Sequence, residues 1–219
     1  VMARFANVTG MTADEFVNFS GALVGLGNNV EARESEIISM AQRIALAGTA
    51  AGLTEDEILG FSAALSAAGI SAELGGTNFS KFITDLSVQV AQGGEKLDLL
   101  AQIAGTTAEE FQTAFEQDAS GAVEQLLSGL NSMSQADAVF ALDALGFSAS
   151  ETQRAIFALS SDTDSLNDIL SLSATSWGEA SAATEEANKR QETTRAQFNA
   201  LKNNIGEFSL AIGYTMLPA

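Results

Sequence analysis

The side chains of this chain that can do chemistry are carboxylates and little else. Its 219 residues include no histidine and no cysteine, which removes the usual general base at neutral pH, the thiol nucleophile and most zinc ligand sets. Carboxylates stand close together at Asp14-Glu15, at Glu55 with Glu57, and at Glu109-Glu110. Two carboxylates are what a glycosidase uses to protonate a leaving group and to attack or activate water. Each pair, however, opens a helix-patterned segment, where negative charge complements the positive end of the helix dipole, so capping is the reading the position favours. Gly25-Leu26-Gly27 follows no strand pattern and lacks a third glycine, so it is not a nucleotide loop. Asp162-Thr163-Asp164-Ser165-Leu166-Asn167-Asp168 begins with the oxygen spacing of a calcium loop. An EF-hand would place an oxygen ligand at Leu166, glycine at Asn167 and glutamate at Ser173. Ser165 with Asp168 reads better as a helix cap. The expectation is a chain that is not an enzyme and uses no cofactor and no metal.

The elements that carry these carboxylates repeat. GMTADEFVNFSGAL (Gly10 to Leu23) aligns without a gap on GLTEDEILGFSAAL (Gly52 to Leu65), with Gly, Thr, Asp, Glu, Phe, Ser, Ala and Leu in common. In the second copy Thr54 and Glu57 have the spacing of a capping box, and Leu53 and Ile58 that of the hydrophobic staple across it. Gly52 suits the left-handed position ending the preceding helix, expected over Ile37 to Ala47 or a little beyond. The first copy offers Thr12 with Glu15. Weaker copies begin at Gly105, with Thr107 and Glu110, and at Gly146, with Ser148 and Glu151. The glycines are 42, 53 and 41 residues apart, about two helices per unit. The unequal middle spacing argues against a regular solenoid and for a globular set of helical hairpins.

Apolar stripes at helical spacing fill the intervals: Ile37, Met40, Ala41 and Ile44; Phe79, Phe82, Ile83, Leu86 and Val90; Val123, Leu126, Leu127 and Leu130. Gly75-Gly76 and Gly93-Gly94 read as helix breaks, since a glycine pair costs a helix interior about 2 kcal/mol. Strand patterns are nearly missing, and the one proline, Pro218, stands next to the last residue. The uncharged run Ile58 to Ala72 is short of the roughly 20 apolar residues that span a bilayer and reads as a buried core helix. No segment has the apolar stretch of a secretory signal. The chain opens and closes inside patterned sequence, and it reads as an internal piece of something longer.

Charge divides the chain. From Ser176 onward five acids face four bases, which leaves −17 of the total −18 to residues 1–175. A surface of that sign repels a phosphate backbone, so no direct nucleic-acid binding is expected. Beyond Asp162 the pattern becomes a heptad seam running from Trp177 through Phe198, Leu201, Ile205, Phe208 and Ile212 to Thr215, small and polar in its first half and apolar in its second. Such a helix, about 60 Å long at about 1.5 Å per residue, outreaches a 175-residue core of about 16 Å radius of gyration, and part of it is expected to project. The organisation expected is all-α. An acidic, compact core of short helical hairpins over 1–175 is followed by one long, partly heptad-patterned, coiled-coil-like helix over 176–219 that continues beyond the fragment.

Three runs, SEI-x-x-MAQR-I (Ser35 to Ile44), AGLT-x-x-EI (Ala51 to Ile58) and GI-x-AE-x-GGT-x-FS-x-F (Gly69 to Phe82), resemble the core of the phage tail tape measure family, also called phage-related minor tail proteins. The resemblance continues in order through Gly93 to Leu130, Leu142 to Leu170 and Trp177 to Phe208. It implies a structural virion protein of long-tailed phages or prophages that lies in the tail tube lumen, sets tail length during assembly and leaves before or during DNA ejection. Members are usually much longer than this chain. The implied localisation is the virion tail lumen, with the host cytoplasm during assembly. The implied partners are tail tube and tail tip proteins, with membrane contact by the parent protein during ejection. Inside a tube of threefold or sixfold symmetry the apolar seam residues would join copies into a trimer or hexamer. The competing readings are a helical adaptor or oligomerisation domain of a cellular protein, and a helical protein that perforates membranes.

Overall fold

Many of the helices in this chain stop at or next to a glycine of positive φ and restart within a few residues. The computed structural model describes residues 2–180, and among them every regular element is helical. In order they are α1 (Met2–Thr9), α2 (Ala13–Asn29), α3 (Glu34–Ala51), α4 (Glu55–Ala67), α5 (Ala72–Gln92), α6 (Glu95–Ala104), α7 (Ala108–Gln117), α8 (Ala119–Ser132), α9 (Gln135–Ala144) and α10 (Ser150–Ser160). An eleventh, α11, begins at residue 163 and is described to 180. Residues 2–180 form one compact unit.

All four glycines of the sequence repeat take left-handed backbone: Gly10 at φ +77, Gly52 at +94, Gly105 at +76 and Gly146 at +93. At Gly52 two backbone bonds close the α3 end, Leu53 N–H to the Gly48 carbonyl at 2.9 Å and Gly52 N–H to that of Thr49 at 3.1 Å. The same pair recurs at Gly146, where Phe147 N–H reaches Leu142 at 2.8 Å and Gly146 N–H reaches Asp143 at 2.9 Å. A Cβ at these positions would be strained by its own backbone. The apolar residue after the glycine is then turned into the core: Leu53 is 4 % exposed and Phe147 1 %.

The core is organised around α4, in which every residue from Ile58 to Ser66 is buried. Helices α2, α3, α5 and α10 all contact it, and a chain of four rings runs outward from it. Phe61 lies 5.0 Å from Phe79, Phe79 lies 5.9 Å from Phe82, and Phe82 lies 5.2 Å from Phe147. Each fully buried phenylalanine contributes about 1.5–3 kcal/mol over its exposed state, and this row ties α4, α5 and the α9–α10 turn together. The uncharged run is thus a buried core helix over its first part, ending at Ala67 rather than Ala72. Among the described residues no helix is long and apolar enough to cross a membrane.

The two glycine pairs part company. Gly93 and Gly94, at φ +69 and +78, separate α5 from α6 as expected. Gly75 and Gly76 do not break anything, because α5 runs through both. Their missing side chains admit α3. A Cβ on Gly76 would stand 2.7 Å from Arg43 Cβ, and one on Gly75 3.0 Å from Met40 Cε. Close packing of α3 on α5 offsets the weak propensity of the pair. A second close approach joins α6 to α8, where a Cβ on Gly129 would lie 1.9 Å from the Ile103 carbonyl oxygen. On α11, Leu170 fills the notch at Gly60 of α4 and Ser176 the notch at Gly25 of α2.

Candidate functional site

The carboxylates of the repeat sit where the helices begin. Thr12 N–H donates to Glu15 Oε2 at 2.7 Å, and Glu15 N–H donates back to Thr12 Oγ1 at 3.4 Å. Thr107 and Glu110 make the same reciprocal pair at 3.0 and 3.3 Å. At Thr54 and Glu57 the box is present but lopsided. Thr54 N–H donates to Glu57 Oε2 at 2.8 Å, whereas the hydroxyl leg falls short of normal hydrogen-bond geometry. The staple residues Leu53 and Ile58 meet over Gly48 of α3, whose missing Cβ would stand 3.0 Å from Ile58 Cγ1 and 3.4 Å from Leu53 Cδ1.

The fourth copy departs from the pattern. Ser148 does not cap α10, whose N-cap is Ala149 and has no side-chain bond. One residue more separates the glycine from the helix than in the other copies, so Glu151 stands in the second helical position. There its carboxylate accepts from the Ser150 hydroxyl at 2.9 Å. Ser165 with Asp168 is corrected too: α11 starts at residue 163, and Asp162 Oδ1 accepts the Ser165 N–H at 3.0 Å. Ser71, Asp118 and Ser134 cap α5, α8 and α9 as well, outside the glycine repeat. Their signal was a short polar residue just before a helical stripe, without the glutamate that completes a box.

One of these caps has a crowded setting. Asp56 and Glu57 of α4, Asp118, Ser120 and Glu124 around the start of α8, and Asn167 and Ser171 of α11 surround an open hollow of about 420 Å³. Ser173 of α11, fully buried, closes the junction by donating to the Asp56 carbonyl at 2.7 Å. Burial pushes the Glu57 carboxyl up, with the charges of Asp56 and Asp118 adding to it and the two Thr54 bonds opposing it. Glu124 is pushed up by burial and by Asp118 and Glu57, against the Ser120 hydroxyl. Glu15, half-buried, and Glu110, exposed, move the other way because backbone and hydroxyl donors of Thr12 and Thr107 favour their charged forms.

A carboxyl raised by burial has the protonation behaviour of a general acid. Glu57, however, already holds the Thr54 N–H, and Glu124 accepts from Ser120 at 3.3 Å. Among the described residues no group of three or more carboxylates is placed to hold a metal ion. The Ser173 bond to Asp56 ties α11 to α4, and the carboxylates bring like charge to the place where α4, α8 and α11 meet. Trp177 lies half-buried against the same core, in a helix that begins fourteen residues before it, counted from residue 163. The seam residues Phe198, Leu201, Ile205, Phe208 and Ile212 lie outside the described residues.

No curated protein and no solved structure matches this chain. The sequence profile described as phage-related minor tail protein matches residues 1–146, from α1 to the glycine that ends α9, and so takes in the repeat turns at Gly10, Gly52 and Gly105. A match over that share of the chain establishes the family, and this all-α chain is a member of the phage-related minor tail proteins, a structural family of the phage tail.

Proposed function

We propose that the chain is the core of a tail tape measure protein: a non-enzymatic structural component that occupies the tail tube lumen, sets tail length during assembly and is released before or during DNA ejection. The observation that carries this reading is the family match over residues 1–146. The three collinear runs between Ser35 and Phe82 that resemble the tape measure core fall inside it. Two physical features support it. The net charge of −17 over residues 1–175 makes a surface that does not grip DNA passing close by. The heptad seam at Phe198, Leu201, Ile205, Phe208 and Ile212 offers a continuous apolar stripe through which copies would associate as a trimer or hexamer. Tube and tip proteins are the other partners of this reading.

The test is tail length. In-frame deletions or duplications within the helical part of the gene should shorten or lengthen tails by about 1.5 Å per residue, measured by electron microscopy. Mass spectrometry should find peptides of the chain in purified tails. Tails that contain the peptides yet keep their length through every deletion would sink the tape measure role while leaving the tail assignment intact.

A further inference from the structure

Three helices end at one place on the surface. α2 finishes at Asn29, α4 at Ala67 and α10 at Ser160. Their last residues, with the first turns of α11, line an open groove of about 450 Å³. None of the three has a basic residue in its last turn, so the negative ends of their dipoles have no cation of their own helix beside them. The rim adds Glu31, Asp162 and Asp168, and among the described residues no lysine or arginine lines the groove. Asp162 is engaged with the N-terminus of α11 through the Ser165 N–H, which leaves Glu31 and Asp168 as the carboxylates presented outward.

The floor is apolar and shallow in side chain. Ala64, Ala67, Ala68 and Ala158 supply only methyl groups, and Leu166 and Ile169 behind them are buried. A concave negative site focuses field on whatever enters it, so its occupant is cationic. Nucleic acid and anionic lipid headgroups carry the wrong sign. A small free cation would satisfy the rim and leave the methyl floor wet. A protein segment with a large apolar side chain flanked by basic ones satisfies both.

We propose that this groove is the docking site for an amphipathic segment of a partner protein, one that seats a leucine-sized or larger side chain on the alanine floor and sets lysine or arginine beside Glu31 and Asp168. The proposal rests on the geometry of the groove and does not depend on the tape measure reading.

The test uses the full chain and three probes at about physiological ionic strength, where exposed charges are screened beyond about 8 Å: a short amphipathic leucine–lysine peptide, a serine–lysine peptide of equal charge, and spermidine. The readout is amide chemical-shift mapping by NMR. The leucine–lysine peptide should perturb residues 29–31, 64–68 and 158–172 as one cluster. Ala68→Arg, which puts a cation on the floor, should weaken that binding about tenfold or more. Gln102→Arg on the exposed side of α6, an equal change of charge, should leave it unaltered. If Ala68→Arg fails to fold, Glu31→Lys with Asp168→Lys on the rim gives the same reading. Equal binding of spermidine or the serine–lysine peptide at the groove would overturn the proposal in favour of a small-cation site. Shifts scattered over the acidic surface, or no binding of the leucine–lysine peptide, would overturn it outright.

Discussion

Gly10–Leu23 and Gly52–Leu65 have eight identical residues at matching positions, and locally they build the same thing. Each begins with a left-handed glycine, carries a threonine–glutamate box and turns its phenylalanine fully inward, Phe19 at 1 % exposure and Phe61 at 0 %. Even the serines agree: Ser20 Oγ donates to the Phe16 carbonyl at 2.8 Å and Ser62 Oγ to that of Ile58 at 2.6 Å. Their settings differ completely. Helix α2 shows Phe16, Val17 and Val24 to solvent, whereas α4 is buried on every side from Ile58 to Ser66. The same glutamate therefore moves down in one copy and up in the other. Short-range pattern dictates the hairpin, and what packs over the hairpin dictates its electrostatics and its tolerance of change.

The largest expected effect comes from exchanging residues between the copies at one register. Gly60 of α4 aligns with Asn18 of α2. A Cβ on Gly60 would fall 2.6 Å from Leu170 Cδ2 and 3.3 Å from its Cα, and asparagine would add an amide with no partner to a buried helix. Gly60→Asn should cost about 3 kcal/mol or more. The reciprocal Asn18→Gly, on half-buried α2, should cost no more than about 1 kcal/mol of helix propensity. Urea unfolding of both variants checks this. Equal losses would mean that α4 is not the covered copy.

These contrasts also show what the sequence makes legible. The turns at Gly10, Gly52 and Gly105 could be read because glycine, cap and glutamate lie within six residues of each other, and the all-α fold followed from helical stripes with no strand signal. The Gly75-Gly76 pair reads as a break because propensity is local. What keeps α5 intact there is α3, about thirty-five residues away, pressed against both glycines. Gly129 drew no notice for the same reason, since its partner is the backbone of Ile103. The fourth turn failed by a single residue: an extra position after Phe147 moves Ser148 out of capping range. The hollow around Glu57 was invisible altogether, being assembled from α4, α8 and α11.

A middle-sized effect separates the three boxes. Thr12→Ala and Thr107→Ala each remove a hydroxyl that accepts an N–H of the first turn, and each should cost about 1 kcal/mol. Thr54→Ala removes a hydroxyl whose leg is outside normal geometry, so it should cost less than either. The Thr54 N–H bond to the Glu57 carboxylate is the stronger leg of that cap. Thermal unfolding of the three single variants ranks them, and a Thr54→Ala loss larger than the other two would show that the lopsided box is not the one in solution.

The smallest effect is the most discriminating, because the two copies should answer acid in separate pH windows. Glu57 is raised above the ordinary glutamate value of 4.5, first by burial and then by Asp56 and Asp118, and Glu124 is raised with it. A raised carboxyl favours the fold when protonated, so its contribution is fully present below 4.5 and is lost as pH rises through the folded value. Glu15 and Glu110 are lowered by their threonine donors. Their contribution is present above 4.5 and disappears as pH falls through the folded value. Acidification from neutral pH should therefore first strengthen the fold through the covered cap and then weaken it through the exposed ones. The general relief of self-repulsion in a chain of net charge −18 acts in the first direction as well, so the measurement is the difference between wild type and variant. Glutamine keeps the acceptor a capping box requires. Glu57→Gln should be at least as stable as wild type at pH 7 and should lose the part of the rise that lies above 4.5. Glu15→Gln should instead be less stable at pH 7 and flatten the fall below 4.5. Urea titrations at several pH values across this range decide it. Two difference curves of the same sign at pH 7 would mean that α8 and α11 do not cover the second cap, and that the two copies are alike in setting as well as in sequence.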